Sequence, residues 1–184
     1  MAETDPDGLL AIGGDLSVTR LLNAYRAGIF PWFSENQPLL WWSPDPRTLL
    51  FPDRLHVSRS LRKSLRRQTC HVTFDTAFEE VIRHCAVTPR TGQDGTWITN
   101  ELLHAYCESM FSHRRDASKI ALVKLVDKLA AAGFLFIDCQ VVTDHLLSLG
   151  AETVDRTAFL RINRQAVGTA VRIDWKQTGE TNPQ

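Results

Sequence analysis

Apolar residues recur along the chain with two different periods, and each switch between them marks an element. Leu21, Leu22 and Tyr25 share a helical face that points inward, behind a turn at Gly13-Gly14-Asp15; Ser17 can cap this helix and Gly28 supplies its stop. Thr48-Leu49-Leu50-Phe51 reads as a short strand ended by Pro52. Ser58 opens a second helix, held to the body by Leu61 and Leu65 one turn apart. Cys70 to Phe74 reads as a strand, and Asp75 caps a helix whose inward stripe is Phe78, Val81, Ile82 and Cys85. Pro89, Gly92 and Gly95 mark a loop before Thr96-Trp97-Ile98-Thr99, and Thr99 caps a helix with Leu102, Leu103 and Tyr106. After Asp116 a long helix carries Leu122, Leu125, Val126 and Leu129 on one stripe and ends at Gly133. The clearest strand runs from Phe134 to Val142, with Leu135, Ile137 and Cys139 on one face and Phe136, Asp138 and Gln140 on the other. A helix near Thr157 to Gln165 and a strand from Val171 to Trp175 complete the pattern.

One stretch obeys neither period. From Gly28 to Arg47 the chain sets Phe30, Trp32, Phe33, Trp41 and Trp42 among Pro31, Pro38, Pro44 and Pro46. The prolines argue against a helix interior or a central strand, so the rings are expected on a stiff, extended or turning backbone. Such a loop can offer flat faces to a planar ligand, where a stacked base is worth about 1–3 kcal/mol. The same rings can instead plug a small N-terminal core, the commoner use of aromatics.

Charge adds two further features. Arg59, Arg62, Lys63 and Arg66 recur at i, i+3, i+4 and i+7 with Arg67 beside them, and no acidic residue interrupts this face. It suits a phosphate backbone, or it is a solvated surface. Asp138 and Gln140 stand side by side near the end of an apolar strand. A buried carboxylate is costly to desolvate, so Asp138 is either used chemically or satisfied structurally, by capping or by pairing with an arginine.

The 184 residues suffice for one well-buried domain, or one with a small appendage. With 21 basic and 21 acidic residues, any attraction to nucleic acid must come from a local patch. The acidic start and the lack of an eighteen-residue apolar run argue against a secretory signal or a spanning helix. Cys70, Cys85, Cys107 and Cys139 contain no Cys-x-x-Cys pair and are expected as reduced thiols in the cytoplasm. His71 and His84 adjoin cysteines and so point away from them, while His104 with Cys107 offers two ligands of the usual four; no metal is expected. Gly13-Gly14 lacks the spacing of a nucleotide-binding motif and reads as a turn.

Taken together, Leu9 to Leu16, Gly28 to Ser34, Trp41 to Arg47, His56 to Ser60, Gly95 to Thr99, Glu108 to Ser112, Ala117 to Lys119, Ile137 to Gln140 and Asp144-His145 resemble the leucyl/phenylalanyl-tRNA–protein transferases. The resemblance spans nearly the whole chain in one order. It implies an α/β (α+β) fold: a small N-terminal domain with the aromatic loop and basic helix, residues 1–66, beside a shortened acetyltransferase-like (GNAT-type) catalytic domain, residues 67–176, with a disordered tail at 177–184. It implies an enzyme, without cofactor or metal, that moves leucine or phenylalanine from charged tRNA onto an N-terminal arginine or lysine and so marks the protein for degradation. Trp32 and Trp97 match residues that hold the terminal adenosine, and Arg59, Arg62, Lys63, Arg66 and Arg67 would grip the acceptor stem. Glu108 and Met110 match the pocket for the transferred side chain, and Asp138 and Gln140 the proposed catalytic pair. Its partners would be Leu- or Phe-tRNA and proteins with basic N-termini, with no membrane; the enzyme would be a cytoplasmic monomer.

One departure bears on activity. Family members carry several dozen residues, mostly sheet, where Tyr106 here runs directly into Cys107-Glu108. An internal deletion there predicts an incomplete central sheet. The alternatives to an active transferase are a tRNA-binding remnant without catalysis and an acetyltransferase-like enzyme. Against the last, no glycine-rich pyrophosphate-cradling loop is present.

Overall fold

The computed structural model describes residues 8–34, 37–67, 70–87 and 116–175. They form an α+β structure built on two small antiparallel sheets of three strands each.

The first sheet is built from the aromatic stretch. β1 (Leu9–Ile12) and β2 (Phe30–Pro31) both pair with the central β3 (Leu40–Trp42). The expectation that the prolines keep this stretch out of a central strand is corrected here, because β3 is the middle strand of its sheet. Pro31 lies on an edge strand and Pro38 and Pro44 fall outside β3, so none of these prolines removes a donor from the middle of the ladder. Phe30, Phe33 and Trp41 are buried, which makes most of these rings core.

α1 (Val18–Arg26) buries Leu21 but leaves Leu22 exposed. Ser17 makes no side-chain cap; the Asp15 carboxylate instead accepts the Ser17 N–H at 2.9 Å and pairs with Arg20 at 3.0 Å. That guanidinium, together with the Ser17 hydrogen bonds, holds the Asp15 carboxyl well below the usual carboxylate range. Gly28 ends the helix at φ +74°, where a Cβ would lie 2.6 Å from the Phe159 ring, so the close approach of α1 to the last helix needs glycine.

The second sheet takes β4 (Arg47–Leu50) as its centre, flanked by β5 (Ile137–Gln140) and β6 (Glu152–Val154). All four β4 residues are buried, as a central strand covered on both faces requires. Phe51 and Pro52 lead into a 3₁₀ turn, Pro52–Arg54, and then to α2 (Arg59–Arg66). Here the Ser58 hydroxyl accepts the Leu61 N–H at 3.3 Å, the expected cap. The core gathers Leu50, Leu61, Ile120, Leu122, Val123, Val126, Leu149 and Ala151, from both sides of residue 66. Each leucine so buried contributes about 1.5–3 kcal/mol over exposure. The long helix α4 (Ala117–Ala131) supplies four of these residues and stops at Gly133, φ +87°.

Two expected strands do not form. Cys70 to Phe74 is irregular, with Cys70 and Val72 packed against the core, and joins no ladder among the described residues. Val171 to Trp175 is likewise irregular, and Trp175 packs on Phe74 with centroids 6.0 Å apart. Alternation there reports one-sided burial, which a coil can satisfy without a strand partner. Asp75 does not cap α3 (Phe78–Val87): it sits at φ +55° and the helix begins three residues later. Phe78 and Val81 are exposed, so the stripe expected to face inward is open at both. β5 is shorter than expected because Leu135, Val141 and Val142 lie at the surface. β6, and α5 (Asp144–Ser148), went unread in the sequence; three-residue and five-residue elements give a periodicity test little to work on. The last helix, α6 (Arg156–Val167), is capped by Asp155, whose carboxylate accepts the Ala158 N–H at 2.7 Å.

Candidate functional site

The pairing of β4 with β5 sets the geometry around Asp138. Leu50 faces Ile137 and Leu49 faces Asp138, but Thr48 faces Gln140, so Cys139 is the extra residue of a bulge. Gln140 follows at φ +65°, a conformation that costs a non-glycine residue of order 1–3 kcal/mol. Strict alternation therefore does not set the direction of its side chain. The Asp138 carboxylate stabilises the bend instead: Oδ1 accepts the Gln140 backbone N–H at 3.0 Å.

The same carboxylate is gripped from beneath. Arg47 donates from Nε to Oδ1 at 2.7 Å and from Nη2 to Oδ2 at 2.5 Å, a two-pronged ion pair. Its side chain is fully buried, whereas that of Asp138 is 26% exposed. The guanidinium is clamped between the rings of Phe30, 4.7 Å away, and Phe159, 4.6 Å away. Phe136 meets Phe159 edge to face, closing the seam. Strand β2 of the first sheet, β4 and β5 of the second, and α6 thus converge on one cation. Asp138 both pairs with an arginine, as its structural reading required, and keeps an accessible edge. Sequence inspection missed Arg47; the only signal was a cation opening a strand opposite the acidic one.

Cys139, between the two candidate residues, does not supply a nucleophile. Burial, and then the neighbouring Asp138 charge, push its thiol up to about 11, so at neutral pH it stays protonated.

The candidate tRNA contacts divide between two places. Arg59, Arg62, Lys63 and Arg66 on α2, and Arg67 at its C-cap, are exposed, and the helix buries Leu61 on its other side. Trp32 is 39% exposed at the end of β2. Its carbonyl accepts the Trp42 indole N–H at 2.6 Å and the two rings lie 6.1 Å apart, so its backbone and one ring flank are fixed while it still reaches solvent. Trp97, Glu108 and Met110 lie outside the described residues, as do the loop before Trp97, the helix after Thr99 and the Tyr106–Cys107 junction. No group of three His, Cys, Asp or Glu side chains gathers to hold a metal among the described residues. No helix there is long and apolar enough to cross a membrane.

The comparisons with known proteins agree over both halves of the chain. The family model described as "Leucyl/phenylalanyl-tRNA protein transferase" matches in two segments, residues 49–108 and 105–164, and that of the corresponding N-terminal domain matches residues 14–45. Among curated proteins, a leucyl/phenylalanyl-tRNA–protein transferase of Pseudomonas fluorescens (strain Pf0-1) is 50% identical over 192 residues, covering 86% of this chain and 84% of its own length. That of Stutzerimonas stutzeri (strain A1501) is 47% identical, covering 94% and 91%, and that of Chromobacterium violaceum 48%, covering 90% and 85%.

Proposed function

This chain belongs to the leucyl/phenylalanyl-tRNA protein transferase family, and on that premise we propose how its residues divide the work of the reaction. The protein is an aminoacyltransferase: it moves leucine or phenylalanine from tRNA to protein. The acceptors are proteins whose N-terminal residue is arginine or lysine, thereby marked for degradation, and the enzyme works as a cytoplasmic monomer.

The chemistry asks little of the site. An aminoacyl ester is already activated, and a peptide α-amino group with a pKa of about 7.7–8.0 is partly free base at neutral pH. Holding amine and ester in line can supply several kcal/mol by itself. Arg59, Arg62, Lys63, Arg66 and Arg67 on α2 neutralise acceptor-stem phosphates whatever the tRNA sequence. Trp32, together with Trp97, stacks on the terminal adenosine, and Glu108 and Met110 line the pocket for the transferred side chain. The exposed edge of Asp138 orients the incoming ammonium, and through Gln140 helps withdraw its proton as the C–N bond forms and the tRNA hydroxyl leaves.

The observation that carries this reading is the accessible edge of Asp138, a carboxylate held by Arg47 beside a bulged Gln140 in a chain alike along its length to named transferases. We also propose that a segment is missing at Tyr106–Cys107; the family model matching in two pieces that meet at residues 105–108 supports this. The test is transfer of labelled leucine from charged tRNA to a peptide beginning with arginine, beside an otherwise identical peptide beginning with alanine. Transfer to the arginine peptide alone, abolished by Asp138→Ala, is the expected result. Folded protein that binds charged tRNA and transfers nothing would mean a binding remnant.

A further inference from the structure

We propose that Arg47 is a positioning residue for the transfer step, acting through Asp138 on Gln140. The inference rests on the reading of Asp138 and Gln140 as the reacting pair. A carboxylate offers about four lone-pair positions. Three are occupied here, two by Arg47 and one by the Gln140 backbone N–H, so the carboxylate cannot rotate and only its exposed edge is left for an ammonium. The same contacts hold Gln140 at φ +65°, a conformation it would leave if the Asp138 oxygen moved. Arg47 is itself immobile: its guanidinium is clamped between Phe30 and Phe159, and its side chain is fully buried.

Two features separate this from an ordinary structural ion pair. The planar fork sets the angle of the carboxylate as well as its charge, which a single ammonium cannot do. Phe30 also directly precedes Pro31 and Trp32, so the ring on one side of the clamp lies two residues before the adenosine-stacking candidate. The cation therefore ties the segment that leads into Trp32 to the strand that carries Asp138.

The experiment measures kcat and KM for charged tRNA and for the arginine peptide in Arg47→Lys, Asp138→Asn, Gln140→Ala and the Arg47→Lys/Asp138→Asn double variant, per folded molecule as judged by circular dichroism. Arg47→Lys keeps the charge and loses the fork; kcat is expected to fall by about a hundredfold, the scale of a misplacement near 1 Å, with KM for charged tRNA nearly unchanged. The double variant is expected to be no worse than the poorer single one, because the two residues act as one unit. Wild-type kcat in Arg47→Lys, or losses that multiply in the double variant, would overturn the inference. Wild-type kcat in Asp138→Asn and Gln140→Ala would instead overturn the reading of the site itself. Should Arg47→Lys not fold, Phe159→Leu removes one face of the clamp while keeping much of its volume. The same loss of kcat at unchanged KM is expected there, and a folded variant with full kcat counts against the inference.

Discussion

Arg47 and the arginines of α2 are the same side chain put to opposite uses. Arg47 is wholly buried, held by two rings and a carboxylate from three other elements; Arg59 and Arg66 stand in solvent on one face of α2. In the interior a guanidinium is tolerated when a carboxylate pairs its charge, so it fixes geometry. At the surface it costs nothing to present, so it supplies field and reach. A transferase of this kind needs both: loose electrostatic capture of a long polyanion, and tight alignment of two small groups.

The sharpest way to break the contrast is Arg47→Met. It leaves the Asp138 charge without its partner, and about 3–5 kcal/mol of stability should be lost in a urea melt. A loss below about 1 kcal/mol, typical of surface pairs, would put Arg47 in the same class as the helix arginines. Ser58→Ala removes the cap on which the basic helix starts and should cost about 1 kcal/mol, read by the same melt. Arg66→Gln should leave stability within about 0.5 kcal/mol and weaken tRNA binding alike for every tRNA sequence. The slope of log affinity against log salt should shrink by about one. An unchanged slope would remove Arg66 from the phosphate contacts.

The smallest effect concerns Cys139. Its folded pKa is raised, so the protonated thiol favours the fold; that contribution is whole below the ordinary 9.0 and is lost as pH rises through about 11. Alkylation of native protein should accordingly stay slow at Cys139 near pH 8, and mass mapping showing rapid modification there would contradict its burial.

Legibility followed the range of the interaction. The Ser58 cap, the basic face of α2 and the stop at Gly133 are local, set by residues within a turn of each other, and the structure has them where the spacing put them. The aromatic stretch was not expected to hold a central strand, yet β3 fits between Pro38 and Pro44, and its pairing with β2 joins Pro31 to Trp41 across a turn the proline rules do not read. Cys70–Phe74 and Val171–Trp175 were misread in the other direction, since half-burial imitates alternation. At the candidate site, Asp138 and Gln140 stood out as polar residues on an apolar strand.

By itself the sequence determined which side chains were available: a uniform basic face, a cluster of rings, one carboxylate with an amide two residues on. Only the tertiary structure decided that Asp138 would meet a residue 91 positions away, that a bulge would turn Gln140, and that Trp32 alone of Phe30, Trp32 and Phe33 would stay exposed. The reason is physical. Helix caps and faces depend on contacts a few residues apart, whereas strand register, and the partner that satisfies a buried charge, depend on which distant segments the core brings into contact.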